Sequence, residues 1–330
     1  MKTMSRTLKR REFLGIAARA SALALLADAG RGLLVAGEPA VIQASGIQLG
    51  ILLATFSRKT LEERLDAAKA AGILHVQMSL DCAGFPPMPD EISAETAARI
   101  RREAAARGIT IASVQGTFNM AHPDEEHRRT GLKRLRVLAE SCAAMGTTKI
   151  HLCTGTRDRR SMWWPHPENK TPQAWTDMAA CMREAAEIAR QARVVLAFEP
   201  EVNNVVDSAK KARRLMDEIG SPFLKVTMDA ANLFHTGDLP RMKDVLDEAF
   251  ALVGKDVVLA HAKDLDRDGA AGHLAAGHGK LDYGRYVSLL RANRFQGPLL
   301  LHGLSEAQVP GCVEFLRDKI ARFGSVSAGK

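Results

Sequence analysis

Eight short apolar runs, each followed by a longer stretch with helical periodicity, leave this chain few folds to adopt. The runs cover 46–53, 73–78, 109–115, 148–153, 194–199, 223–229, 257–261 and 299–302. Helical patterns follow at 60–71, 93–107, 124–145, 171–191, 207–219, from about 239, at 283–292 and at 306–323. Apolar runs this short, bounded by turn signals, suit strands buried on both faces. Local chemistry marks the helix ends: Thr60 and Glu63 form a capping box, Thr171-Pro172 supplies a cap with a first-turn proline, and Gly108 and Gly146 follow helix ends. Eight strands alternating with eight helices over 46–323 predict a single (β/α)8 barrel. No Gly-x-Gly-x-x-Gly turn follows the first run, which argues against an open dinucleotide-binding sheet.

The last four runs end in Glu199, Asp229, His261 and His302, spaced 30, 32 and 41 residues apart, about one strand–helix unit each. Parallel strands joined by helices bring their carboxyl ends to one face, so two carboxylates and two imidazoles point into one mouth. That is a candidate divalent-metal site. Glu199 follows five apolar residues and precedes Pro200, so its carboxylate needs a cation nearby, either a metal or a structural ion-pair partner. For Asp229 the alternative to a ligand is the cap of the Ala230-Ala231-Asn232 turn. His261 and His302, taken singly, read as core histidines; their register with the acids makes them ligand candidates.

Two strand-to-helix connections are long, 154–170 and 262–282, and long connections in compact domains tend to be functional. The first holds Arg157, Arg159, Arg160, Trp163 and Trp164. Its tryptophans suit stacking on the apolar face of a sugar, packing onto the rim, or a contact in a homo-oligomer. Its arginines suit either an anionic substrate or a solvated basic loop. Gln115, His151, Asn232 and His235, at or just past strand ends, are candidate hydrogen-bond partners for sugar hydroxyls, with a core or loop role as the alternative for the two histidines.

Outside the barrel, Lys9-Arg10-Arg11-Glu12-Phe13-Leu14-Gly15 opens an Ala-rich stretch with the form of a twin-arginine export signal. Residues 1–45 are therefore expected to be a disordered leader and linker, 324–330 a tail, and the protein to reach the periplasm; a basic amphipathic first helix is the alternative. The formal net charge is +8, of which the leader supplies +4, leaving a body too mildly basic to argue for nucleic acid. No apolar stretch in the body is long enough to span a bilayer. The five cysteines form no Cys-x-x-Cys pair and read as buried thiols.

Glu199-Pro200 with Asn203-Asn204-Val205-Val206, Met228-Asp229-Ala230-Ala231-Asn232-Leu233, His261-Ala262-Lys263-Asp264 and Gly277-x-Gly279-x-x-Asp282 resemble the xylose-isomerase-like TIM-barrel family of sugar-phosphate isomerases and epimerases. The resemblance covers about 46–323. It implies one divalent ion (Mn, Mg, Co or Zn) held by Glu199, Asp229, His261 and position 302, a carbohydrate substrate, and proton abstraction next to a carbonyl. In that scheme Glu199 or His302 takes the proton, and Lys263 stabilises the enediolate oxygen. Family epimerases use two glutamates on opposite faces of the carbon; His302 stands where the second belongs, with Glu201 and Glu306 as the nearest spare carboxylates. The same family includes three-zinc abasic-site endonucleases, but Gln77, Gln115 and Asn232 stand where extra ligands would be needed, and amides are poor zinc ligands. Dehydration or elimination on the same site, and a carbohydrate-binding protein with a decayed centre, are the rival readings.

Overall fold

The computed structural model describes residues 46–323; the expected leader and tail lie outside them. Along the chain run β1 (Gln48–Leu52), α1 (Leu61–Ala70), β2 (His75–Met78), α2 (Ala94–Ala106), β3 (Thr110–Gln115), α3 (Glu125–Met145), β4 (Lys149–Cys153) and α4 (Pro172–Ala192). After them come β5 (Val195–Glu199), α5 (Ala209–Ile219), β6 (Leu224–Asp229), α6 (Met242–Val253), β7 (Val257–Asp264), β8 (Leu274–Ala275), α7 (Tyr283–Ala292), β9 (Pro298–Leu301) and α8 (Val309–Phe323). Strands pair in parallel in the order β6-β5-β4-β3-β2-β1-β9-β7, and a β6–β7 pairing closes the cylinder. The expected (β/α)8 barrel is the observed one. No helix among the described residues is long and apolar enough to cross a membrane.

The local signals act where the sequence places them. Thr60 and Glu63 make their reciprocal capping bonds, Thr171 accepts from Ala174 N, and Gly146 closes α3 in the left-handed conformation at φ 86°. Four boundaries differ from expectation. Helix α5 starts at Ala209, because the Ser208 hydroxyl accepts from Lys211 N. Short 3-10 turns, Leu239–Arg241 and Glu306–Gln308, take up the first residues expected of α6 and α8. Strand β7 runs to Asp264 because its end pairs antiparallel with β8, Lys263 opposite Ala275 and Asp264 opposite Leu274.

Most apolar side chains lie between the strands and the helical shell, while a small inner cluster of Ala112, Ala197, Leu259 and Leu300 plugs the barrel. Gly50 makes room for this plug: a Cβ there would come within 2.6 Å of Leu300 Cδ2. Side chains alternate along a strand, so two residues above the plug the inner face carries Glu199, His261 and His302, joined by Asp229 opposite His261 across β6–β7. The apolar plug is the floor of the site.

Candidate metal centre and active site

Glu199 ends β5, Asp229 ends β6, His261 lies within β7 and His302 follows β9. Their side chains converge. His261 Nδ1 is 3.3 Å from Glu199 Oε2 and 3.8 Å from Asp229 Oδ2, and His302 Nδ1 is 3.5 Å from the same Asp229 oxygen. Asp229, His261 and His302 offer ligand atoms that all lie within 4.8 Å of one another, and so do His151, Glu199 and His261. Asp229 Oδ2, His261 Nδ1 and His302 Nδ1 are buried with no hydrogen-bond partner. A buried polar atom left unpaired costs about 1–3 kcal/mol, so three together mark a place for a cation. The residues present fit a divalent ion.

The surrounding shell orients these side chains. His261 Nε2 lies 3.2 Å from Gln77 Oε1, which also accepts from Ser113 Oγ at 3.1 Å. An acceptor facing Nε2 places the ring proton there and leaves the Nδ1 lone pair toward the acids. Asp229 fills both roles that its sequence allows: Oδ1 accepts from Ala231 N at 3.2 Å and caps the Ala230–Asn232 turn, while Oδ2 faces the cluster. From behind, Tyr286 Oη donates to Met228 O at 2.8 Å and lies 3.1 Å from His261 O, and Tyr283 Oη donates to Lys263 O at 2.7 Å.

Burial works against the charge of Glu199, and the Lys263 ammonium works for it. Asp229 is held low against burial by the Lys263 ammonium. Burial also works against the Lys263 ammonium, yet Asp229, Glu199 and Glu201 raise it. Its Nζ lies 3.5 Å from Asp229 Oδ2. Burial, with the neighbouring His261, lowers His151 to about 3, and burial with Lys263 lowers His302, so both rings are neutral.

Above this cluster opens a cavity of about 340 Å³, lined by Leu52, Gln77, Gln115, His151, Trp163, Glu199, Glu201, Asn203, Lys263, Ala271 and His302. Glu199, His302, Lys263, Gln115, His151 and Trp163 therefore meet here as the sequence suggests. Two expected substrate contacts do not. Asn232 is spent on the protein: Nδ2 donates to Glu199 Oε1 and Oδ1 accepts from Gly272 N at 2.8 Å. It positions the glutamate, because the turn capped by Asp229 folds its amide back over β5. His235, three residues on, has left the mouth; its exposed ring sets Nε2 3.0 Å from Asp207 O.

The long loops are built, not loose. Asn204 Oδ1 accepts from Gly155 N at 2.7 Å, Asn119 Oδ1 from Thr156 N at 2.9 Å, and Asn169 Oδ1 from Arg157 N at 2.7 Å. Asn203 Nδ2 donates to Trp163 O at 3.3 Å, so the Asn203-Asn204 pair fixes the tryptophan against the cavity. Trp164 diverges to the outside, 50% exposed under the Arg160 guanidinium. Arg157 pairs with Asp177 at 2.8 Å, and none of the three loop arginines lines the cavity. In the second loop Asp264 binds three backbone amides, Leu265, Gly277 and Leu281. A Cβ at Gly279 would come within 2.3 Å of Asp264 Oδ1, which explains that glycine.

Glu201 has a weight the sequence does not show. It is 4% exposed, lines the cavity, and is pushed up to about 8 by burial and by the Glu199 charge. Glu306, the other spare carboxylate, pairs at the surface with Arg58. The chain's two tyrosines, three apart on α7, were a signal for the braces behind the ligands.

Comparison with known proteins agrees with this architecture. The profile described as Xylose isomerase-like TIM barrel matches residues 65–318. The chain belongs to that family. Within it, solved structures similar to this chain include the apo form of 3-keto-D-glucoside 4-epimerase from E. coli (17% identity, 82% of this chain and 99% of that one, TM-score 0.61). D-psicose 3-epimerase with D-tagatose from Clostridium cellulolyticum H10 is similar at 15% identity over 83% and 99% of the two chains (TM-score 0.64). So is a xylose isomerase-like TIM barrel protein from Mycobacterium smegmatis in complex with magnesium (16% identity, 85% and 98%, TM-score 0.64). At these identities the likeness is one of fold. Among curated proteins no sequence matches.

Proposed function

We propose that this member of the xylose isomerase-like family is a divalent-metal-dependent isomerase or epimerase, removing a proton next to the carbonyl of an unphosphorylated sugar or sugar derivative. The observation that carries the reading is the meeting of three unpartnered buried atoms, Asp229 Oδ2, His261 Nδ1 and His302 Nδ1, beside Glu199 Oε2, at a cavity that Glu199 and His302 line. Epimerases among the similar folds agree with it. The volume of about 340 Å³ lies at the small end of ligand sites, about 300–1,000 Å³. Lys263 is the one Lys or Arg lining it and is already matched to Asp229, which suits a neutral polyol better than a phosphate ester.

Glu199, Asp229, His261 and His302 would hold the ion, whose positive charge makes the carbon-bound proton more acidic. The protein's own groups do the rest. Glu199 takes the proton, with Asn232 fixing one carboxylate oxygen so that the other stays directed into the site. His302, neutral and 28% exposed at its side chain, offers an imidazole on the far side of His261 as the alternative base. The Lys263 ammonium stabilises the developing oxyanion from a position 7% exposed, where water screens it little. Trp163 covers an apolar sugar face and Gln115 presents an amide to a hydroxyl. Because position 302 is His, the two proton-handling groups differ in kind, unlike a symmetric pair of glutamates.

One observation favours a second reading: Glu201 places another buried carboxyl in the same cavity, where it could protonate a departing β-substituent. Dehydration or elimination begins with the same proton abstraction. Incubating metal-loaded protein with candidate ketoses in D2O distinguishes the readings. Deuterium at the reacting carbon is expected, and no exchange with any keto-sugar refutes both. Loss of water or an aglycone by mass spectrometry marks elimination. Tight sugar binding without turnover, indifferent to chelator, would identify a decayed binding protein instead.

A further inference from the structure

His151, on β4, lies beside the four ligand residues and is 3% exposed. Its Nδ1 is 3.0 Å from Thr227 Oγ1, and that hydroxyl donates to Ala197 O at 3.1 Å. A hydroxyl has one hydrogen. With it spent on Ala197, the Thr227 oxygen accepts, so the imidazole proton sits on Nδ1 and Nε2 carries a lone pair. Nε2 lies 3.5 Å from Glu199 Oε2, the same oxygen that His261 Nδ1 approaches to 3.3 Å with its own lone pair. Two nitrogen lone pairs and a carboxylate oxygen repel one another unless a cation lies between them. Two donors each about 2.1 Å from one ion stand about 3.0–3.6 Å apart at angles of roughly 90–120°, and the 3.3 and 3.5 Å seen here fall in that range.

We propose that His151 is itself a metal ligand. On the metal-centre reading above, His151 adds an imidazole beside Glu199 and His261, and His261 is shared with the triad of Asp229 and His302. Such a nitrogen-rich set selects Zn²⁺ or Co²⁺ over Mg²⁺, which prefers oxygen ligands and retains its waters. Thr227 is a positioning residue that fixes the His151 tautomer.

Cobalt bound to chelator-stripped full-length protein reports on this directly, because its visible bands respond to the number of nitrogen ligands. In wild type we expect one Co²⁺, and a Zn²⁺ affinity well above that for Mg²⁺ in competition with a chromophoric chelator. His151→Gln should move the cobalt bands and weaken Zn²⁺ by more than the roughly 10–100-fold that loss of an outer-shell partner costs, with little change for Mg²⁺. Thr227→Val keeps the ring but frees its tautomer, and should weaken Zn²⁺ by about 10–100-fold with the cobalt bands retained. Unchanged cobalt bands and unchanged Zn²⁺ affinity in His151→Gln overturn the assignment while leaving the four-ligand centre standing. If His151→Gln fails to fold, unchanged Zn²⁺ affinity in Thr227→Val overturns it instead. A wild-type protein that binds no Co²⁺ sinks this proposal and the metal-centre reading together.

Discussion

Replacing Glu199 with glutamine separates the charge of this residue from its shape. In the structure Oε1 accepts from Asn232 Nδ2, and Oε2 faces His261 Nδ1 at 3.3 Å and His151 Nε2 at 3.5 Å. Both nitrogens carry lone pairs, since Gln77 Oε1 and Thr227 Oγ1 occupy the opposite edges of the rings. A glutamine keeps the Asn232 bond and turns its NH₂ toward those lone pairs. It therefore gains a hydrogen bond worth about 0.5–1.5 kcal/mol and removes a buried anion. Metal-stripped Glu199→Gln should be as stable as wild type or slightly more so, although a buried side chain has been changed. The response to metal should differ in the opposite sense. Free ion at 100 times its dissociation constant stabilises wild type by about 2.7 kcal/mol. For a domain of this size, at about 2.1 cal/mol/K of unfolding entropy per residue, that is a rise in Tm of about 4–5 °C. The variant, with a neutral amide at the centre, should gain no more than about 2 °C under the same conditions. Thermal unfolding followed by circular dichroism, with chelator and then with Mn²⁺, Co²⁺, Zn²⁺ or Mg²⁺, measures both quantities. A variant that melts far below wild type in chelator would show that the carboxylate is there to pair with a protonated histidine. A variant that keeps the full metal-induced rise would show that Glu199 is not a ligand. Either result breaks the reasoning.

Two further outcomes are expected. Tyr286→Phe removes the hydroxyl that bridges Met228 O and His261 O without leaving a cavity, so stability should fall by about 1–2 kcal/mol; denaturant unfolding with an unchanged midpoint would show that this brace carries nothing. If Lys9–Gly15 directs export, Arg10→Lys with Arg11→Lys should abolish periplasmic delivery in cell fractionation, and undiminished delivery rejects the leader assignment.

The barrel could be read from the chain because its signals are local. The capping box at Thr60 and Glu63, the cap at Thr171 and the glycine after α3 each act over a few residues, and each is present in the structure. The convergence of the four candidate positions was legible for a related reason: side-chain direction alternates along a strand, and a barrel brings every strand's carboxyl end to one mouth. Sequence pattern could not say what each polar group faces once there. Asn232 has the position of a substrate contact and is used on Glu199. Glu201 reads only as a spare carboxylate and is buried in the cavity wall. The orientation of His261 depends on Gln77, 184 residues earlier, and that of His151 on Thr227, 76 residues later. Such pairs meet only after eight strands have closed with one register. The sequence alone thus determines which residue types reach the mouth of the barrel, through hydrogen bonding and periodicity within each segment. Closure of the cylinder decides which nitrogen or oxygen of each side chain is left free for chemistry, because that depends on neighbours the chain supplies from far away.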